Sequence, residues 1–184
     1  MAKASRFLAL LRGINVGGKN IIAKDALSQC FQDLGFSNVR TYIQSGNILF
    51  QTAETNVKAL TTAIEAGLTT RFSYDAQAVV LSRSKYKSAV QAAPDDWGKN
   101  DEQKHNALFT LSGITPRRLL AQLPPPTTDI ETVTSGPGVI FWSAAKKQLA
   151  RTTMMKLAKS PVYQQVTVRN HNTVFKLLEL LDGE

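Results

Sequence analysis

The chain has 184 residues, 43% of them hydrophobic and 20% charged, and a formal net charge of +8. That length suits one large domain or two small packed halves, and no apolar run approaches the ~20 residues that span a bilayer. The basic start MAKASRFLALLRG offers only FLALL as an apolar run, shorter than the ~7–15 residues of a signal-peptide core, and the single cysteine, Cys30, argues against a disulfide-stapled secreted domain, so a cytoplasmic protein is expected.

Apolar periodicity predicts the elements in chain order. RFLALL at 6–11 reads as a strand. A helix is expected over 24–34, with Leu27, Cys30, Phe31 and Leu34 on one face and Gly35 ending it. Strands at 39–44 (VRTYIQ) and 47–52 (NILFQT) flank the short break Ser45-Gly46, the pattern of a hairpin. A long helix over 55–71 turns Val57, Leu60, Ile64 and Leu68 inward, and QAVVLS at 77–82 forms a fourth strand. The order βαββαβ is that of a ferredoxin-like unit.

A helix at 83–92 follows, then the polar, acidic stretch APDDWGKNDEQK, the best candidate for a linker. The second half repeats the order. Strands are expected at 106–111, 130–134, 138–143 (VIFWSA) and 163–169, with helices at 116–123, 146–159 and 173–182. Pro116 suits a first helical turn. The expected class is therefore α+β: two ferredoxin-like βαββαβ subdomains, a pseudo-duplication without residue-level repeat, plus a C-terminal helix. The first subdomain covers 1–83, a connecting helix and acidic loop 84–104, and the second subdomain 105–184.

The charge is unevenly spread. Residues 1–24 carry five basic side chains and no acid, and residues 132–178 carry seven and no acid. One-sign regions of this kind concentrate anions, such as a phosphorylated metabolite or nucleic acid; they also serve plain solubility.

LLRGINVGGKN, residues 10–20, has the G-x-x-x-x-G-K spacing of a phosphate-binding Walker loop in Gly13, Gly18 and Lys19. Asn20 stands where a Mg²⁺-binding Ser or Thr belongs, and IIAK separates the glycines from the next helix, so a Walker loop is not expected. The connection from Arg12 to Asn20 still runs nine residues, where ~4–6 is usual, and long loops in compact domains are often functional. Its glycines permit positive φ, so successive N–H groups can converge on an anion, with Arg12 and Lys19 adding charge. A flexible, solvated loop is the plainer alternative. In a βαββαβ unit the first two strands run parallel, so Ser45, Gly46 and Asn47 are expected at the same sheet edge as this loop.

The stretches LLRGINVGGKN, YIQSGNILF and TVRNHNTVFKLLEL together resemble a bacterial family of domains of unknown function, DUF1697, over nearly the whole chain. The resemblance implies two α+β subdomains and brings no established activity, cofactor or catalytic residue. The residues matching its motifs are Arg12, Gly13, Asn15, Gly17, Gly18, Lys19, Asn20, Ser45, Gly46, Asn47, Arg169, Asn170, Asn172 and Thr173. This chain has His171 where members often have Trp. Asn172 or Thr173 can cap the final helix, and Arg169 beside a helix N-terminus suits anion binding better than folding.

Other chemistry is not indicated. His105, His171 and Cys30 make no zinc site at a familiar spacing, no G-x-S-x-G elbow occurs, and Cys30 on an apolar helix face is expected to be buried. Trp97 and Trp142 are too few for a base-stacking platform, and no RNA-recognition signature accompanies Tyr42 and Phe50. In VIFWSA, Ile140 and Trp142 share one face and Phe141 takes the other, so at least one aromatic is expected in the core. No metal, cofactor or membrane is expected. The leading expectation is a protein that binds an anionic ligand, a phosphorylated small molecule or nucleic acid, through its basic Gly/Asn-rich loop, with Arg169, Asn170 and Asn172 as further ligand candidates. The alternatives are an enzyme whose Arg and Asn residues stabilise an oxyanion, with His171 the one candidate base, or a partner-binding module without a ligand.

Overall fold

A computed structural model of the chain describes residues 4–15, 18 and 20–183. Its first sheet is built around β1 (Ser5–Arg12), which pairs antiparallel with β3 (Asn47–Thr52) on one side and β4 (Gln77–Ser82) on the other; β2 (Ser37–Tyr42) forms the edge, giving the order β2-β3-β1-β4. This is the ferredoxin-like arrangement. Phe7, Ala9 and Leu11 face one side of the sheet, where α1 (Lys24–Asp33) and α2 (Val57–Phe72) bury Leu27, Cys30, Phe31, Leu60, Ile64 and Leu68. Phe50 sits at the centre of that core, its ring 4.5 Å from Phe36, 5.6 Å from Phe31 and 5.7 Å from Phe7. Burial of each such ring stabilises by about 1.5–3 kcal/mol. Leu8 and Leu10 are buried on the other face, which explains the unbroken apolar run of this strand.

The second sheet repeats the plan. β5 (Gln103–Thr110) is central, with β7 (Val139–Ala145) and β8 (Val166–Asn170) beside it and β6 (Glu131–Gly136) at the edge, in the order β6-β7-β5-β8. The short α4 (Pro116–Leu120) is capped by the hydroxyl of Thr115, and α6 (His171–Asp182) closes the chain. α3 (Arg83–Gln91) follows β4. By contact density the chain divides into Met1–Tyr86 with Glu179–Glu184, and Lys87–Leu178.

Several expected elements change. Val57 is 38% exposed because it occupies the first turn of α2, which Asn56 caps by accepting from the amides of Lys58 and Ala59. The expected helix at 146–159 is broken in two. A 3₁₀ segment, Lys146–Arg151, ends at Thr152, whose extended backbone and hydroxyl cap a separate α5 (Thr153–Leu157). The expected strand at 163–169 is delayed, since Ser160 and Pro161 start a 3₁₀ turn over Pro161–Gln165 before β8. Ile140, Phe141 and Trp142 are all buried, so both faces of β7 are covered.

Candidate functional site

The β1–α1 loop and the β2–β3 hairpin meet, as parallel placement of β1 and β2 requires. The Leu11 amide donates to the Gly46 carbonyl at 2.8 Å. Asn15 joins the two turns through its side chain: Oδ1 accepts from the Ile22 amide at 2.8 Å, and Nδ2 donates to the carbonyls of Ile22 at 3.1 Å and Gln44 at 2.7 Å. The loop also closes on itself, with the Asn15 amide donating to the Asn20 carbonyl and Asn20 Nδ2 to the Gly13 carbonyl. Asn47 is buried, and its Nδ2 donates to the Tyr42 carbonyl and to Ser45 Oγ. The asparagines of both motifs thus shape backbone through their amides. Gly17 and Lys19 lie outside the described residues.

Backbone conformation at this edge is unusual. Gly13, Asn15, Gly18 and Asn20 have φ of 72°, 53°, 74° and 47°, and in the hairpin Ile43 and Gly46 have 49° and 70°. Among the described residues, nothing lies within 4 Å of a Cβ built at Gly13 or Gly18. Gly46 is different: a Cβ there would stand 2.8 Å from Leu11 Cβ and 2.9 Å from Ile14 Cδ1, so the close approach of the two turns requires glycine. Ile43 is β-branched, and a left-handed conformation costs such a residue about 1–2 kcal/mol.

The third motif belongs to the second unit. α6 starts at His171, one residue before the first candidate cap, and Asn170 is the residue that caps it: its Oδ1 accepts from the Thr173 amide at 2.9 Å. The cap is therefore neither Asn172 nor Thr173, because a capping side chain bonds the amide three positions on. Asn172 is exposed in the first helical turn. Arg169 is in β8 and only 6% exposed; its Nη1 donates to Thr167 Oγ1 and to the Val168 carbonyl, each at 2.8 Å.

Two groupings escaped the sequence reading. Trp97, from the acidic stretch, is 3% exposed. Its ring packs edge-on against Phe141 at 4.9 Å, Phe175 at 5.5 Å, His171 at 6.2 Å and His105 at 6.3 Å. Gly98, at φ 86°, lets the backbone pass close over His171 and Phe175. His105 is buried; its Nε2 donates to the Asn100 carbonyl at 2.9 Å, which leaves Nδ1 to accept from the Ser143 hydroxyl at 2.8 Å. Base and hydroxyl have bonding geometry, but both are buried, so the pair links β5 to β7 and presents no nucleophile. Burial, together with the neighbouring His105, holds the His171 pKa below its ordinary value. The available signal was a tryptophan followed by glycine inside an otherwise polar run.

The second grouping is Glu131, buried at the start of β6. Its carboxylate accepts from the amides of Thr127, Thr153 and Met154 and from Trp142 Nε1. Burial alone would raise its pKa; the four donors outweigh burial and lower it. Nothing in the local sequence marks it, since its partners lie up to 23 positions away.

Residues 4–141 match the family described as a protein of unknown function, DUF1697. The chain belongs to the DUF1697 family. No curated protein matches it. This DUF1697 protein is also similar to a solved structure, the conserved bacterial protein SP0830 from Streptococcus pneumoniae. The identity is 27% and the TM-score 0.87, and the likeness covers 98% of this chain and 100% of the other. The same α+β architecture is therefore shared over 98% of this chain. Among the described residues no group of three or more His, Cys, Asp or Glu is placed to hold a metal ion, and no helix is long and apolar enough to cross a membrane.

Proposed function

We propose that this protein is a cytoplasmic binder of an anionic ligand, a phosphorylated small molecule or nucleic acid, which it takes up at the β1–α1 loop. The observation that supports the reading most is the set of four left-handed residues Gly13, Asn15, Gly18 and Asn20, held by the asparagine side chains, with no described residue within 4 Å of a Cβ at either glycine. Such a turn offers backbone N–H groups to a negative guest, and preorganisation lowers the entropy cost of binding. Arg12 ends β1 at the root of the loop, and the acid-free stretch around it favours anions. Strain at Ile43 in the adjoining hairpin fits a functional edge, where such outliers cluster.

Inorganic phosphate, a nucleotide panel and a single-stranded oligonucleotide, titrated against the wild type and Lys19→Ala, test the proposal. At least one ligand should bind the wild type and lose about fivefold or more in affinity in the variant, the effect of removing one charge-assisted contact. If none binds, or if all bind both proteins equally, the loop is not an anion site.

A further inference from the structure

At the opposite end of the first sheet from that loop, a cavity of about 420 Å³ opens beside β2, β3 and the end of α6. This volume lies within the roughly 300–1,000 Å³ typical of ligand pockets. Its floor is apolar, formed by Leu49 and Leu181, both buried. Its rim is basic. Arg6 stands opposite Gln51 in the β1–β3 register and Arg40 opposite Leu49 in the β2–β3 register, which places all four side chains on one face of the sheet. Arg6 is positioned by donating through Nη1 to the carbonyls of Leu181 at 3.0 Å and Gly183 at 3.2 Å. Arg40 is exposed and has no hydrogen-bond or ion-pair partner among the described residues. None of the described residues lining the cavity is acidic.

The edge strand is distorted at this point. The β2–β3 register shifts between Ser37 and Arg40. Asn38 takes a φ of 48°, and its Nδ2 donates to Gln51 Oε1 at 2.9 Å. A bulge bends its strand and re-aims side chains, and bulges are over-represented beside binding sites. Here it sits next to the one arginine on the rim whose guanidinium is uncommitted.

We propose that this cavity is a second binding site, for a small organic anion with an apolar body. The carboxylate or phosphate pairs with Arg40 and Arg6, and the hydrocarbon lies on Leu49 and Leu181. A guanidinium supplies paired N–H donors that match either head group. The inference does not rest on the loop reading, since it uses other residues at the other end of the sheet.

Octanoate titrated into ¹⁵N-labelled protein tests it, with octanol as the uncharged comparison. Octanoate should produce saturable shifts at the amides of Asn38, Arg40 and Gln51, in the wild type and equally in Lys19→Ala. Arg40→Ala should weaken binding about tenfold or more, and octanol should bind more weakly than octanoate. The proposal is overturned if those amides do not respond saturably, if Arg40→Ala binds octanoate as tightly, or if octanol binds as well. Should Arg40→Ala not fold, the wild-type shift map and the octanol comparison decide alone.

Discussion

Trp142 donates its indole N–H to the Glu131 carboxylate at 2.8 Å, inside the second unit, and so ties the middle of β7 to the start of β6 and to the first turn of α5. One acid thereby satisfies four donors from three parts of the chain. A buried donor left unsatisfied costs about 1–3 kcal/mol. Glu131→Ala should therefore destabilise by about 3 kcal/mol or more, and Trp142→Phe by about 1–2 kcal/mol, as urea denaturation would measure.

The same carboxylate predicts a pH dependence. Its folded pKa is below the ordinary 4.5, so its contribution is complete above that value and is lost as pH falls through the lower folded pKa. Glu131→Gln should flatten the acid limb of a stability-versus-pH curve measured by thermal melting. An unchanged limb would show that the carboxylate is not held as described.

His171 works in the same direction at higher pH. Its folded pKa is below 6.5 because burial penalises the imidazolium. The unfolded chain then binds a proton before the folded one does, so stability is full above 6.5 and declines as pH drops below it. Replacing His171 by Phe should remove this slope while keeping the aromatic packing with Trp97; paired melts near pH 5 and pH 7 check it.

Glycine substitutions separate steric need from backbone freedom. Gly46→Ala adds a Cβ 2.8 Å from Leu11 Cβ at a φ of 70° and should cost about 3 kcal/mol. Gly13→Ala, at φ 72° with no described residue within 4 Å, should cost about 1 kcal/mol, the conformational cost alone. Equal losses in chemical denaturation would remove the argument that the two turns are locked together at Gly46.

Strain at Ile43 makes the opposite prediction. Ile43→Asn, which tolerates φ near 49°, should stabilise the protein by about 1 kcal/mol. If the hairpin contributes to the anion site, that gain comes with weaker binding in the phosphate and nucleotide titrations.

The chain order of strands and helices was legible in the sequence because each element carries its own periodicity. The continuous apolar runs in RFLALL and NILFQT and the i, i+3, i+4 face of Leu27, Cys30 and Phe31 are local properties. Strand direction follows from element order, so the meeting of Gly46 with the β1–α1 loop was legible too. Tertiary structure alone decided what each polar side chain does there. Asn15, Asn47 and Asn170 read as ligand candidates, yet their amides bond backbone groups brought close by folding. It also decided that Trp97 lies in a core, that Glu131 is a buried acid, and that Thr152 divides a helix. Hydrogen-bond partners and burial are set by residues far apart in the chain, and spacing along the sequence carries no record of them.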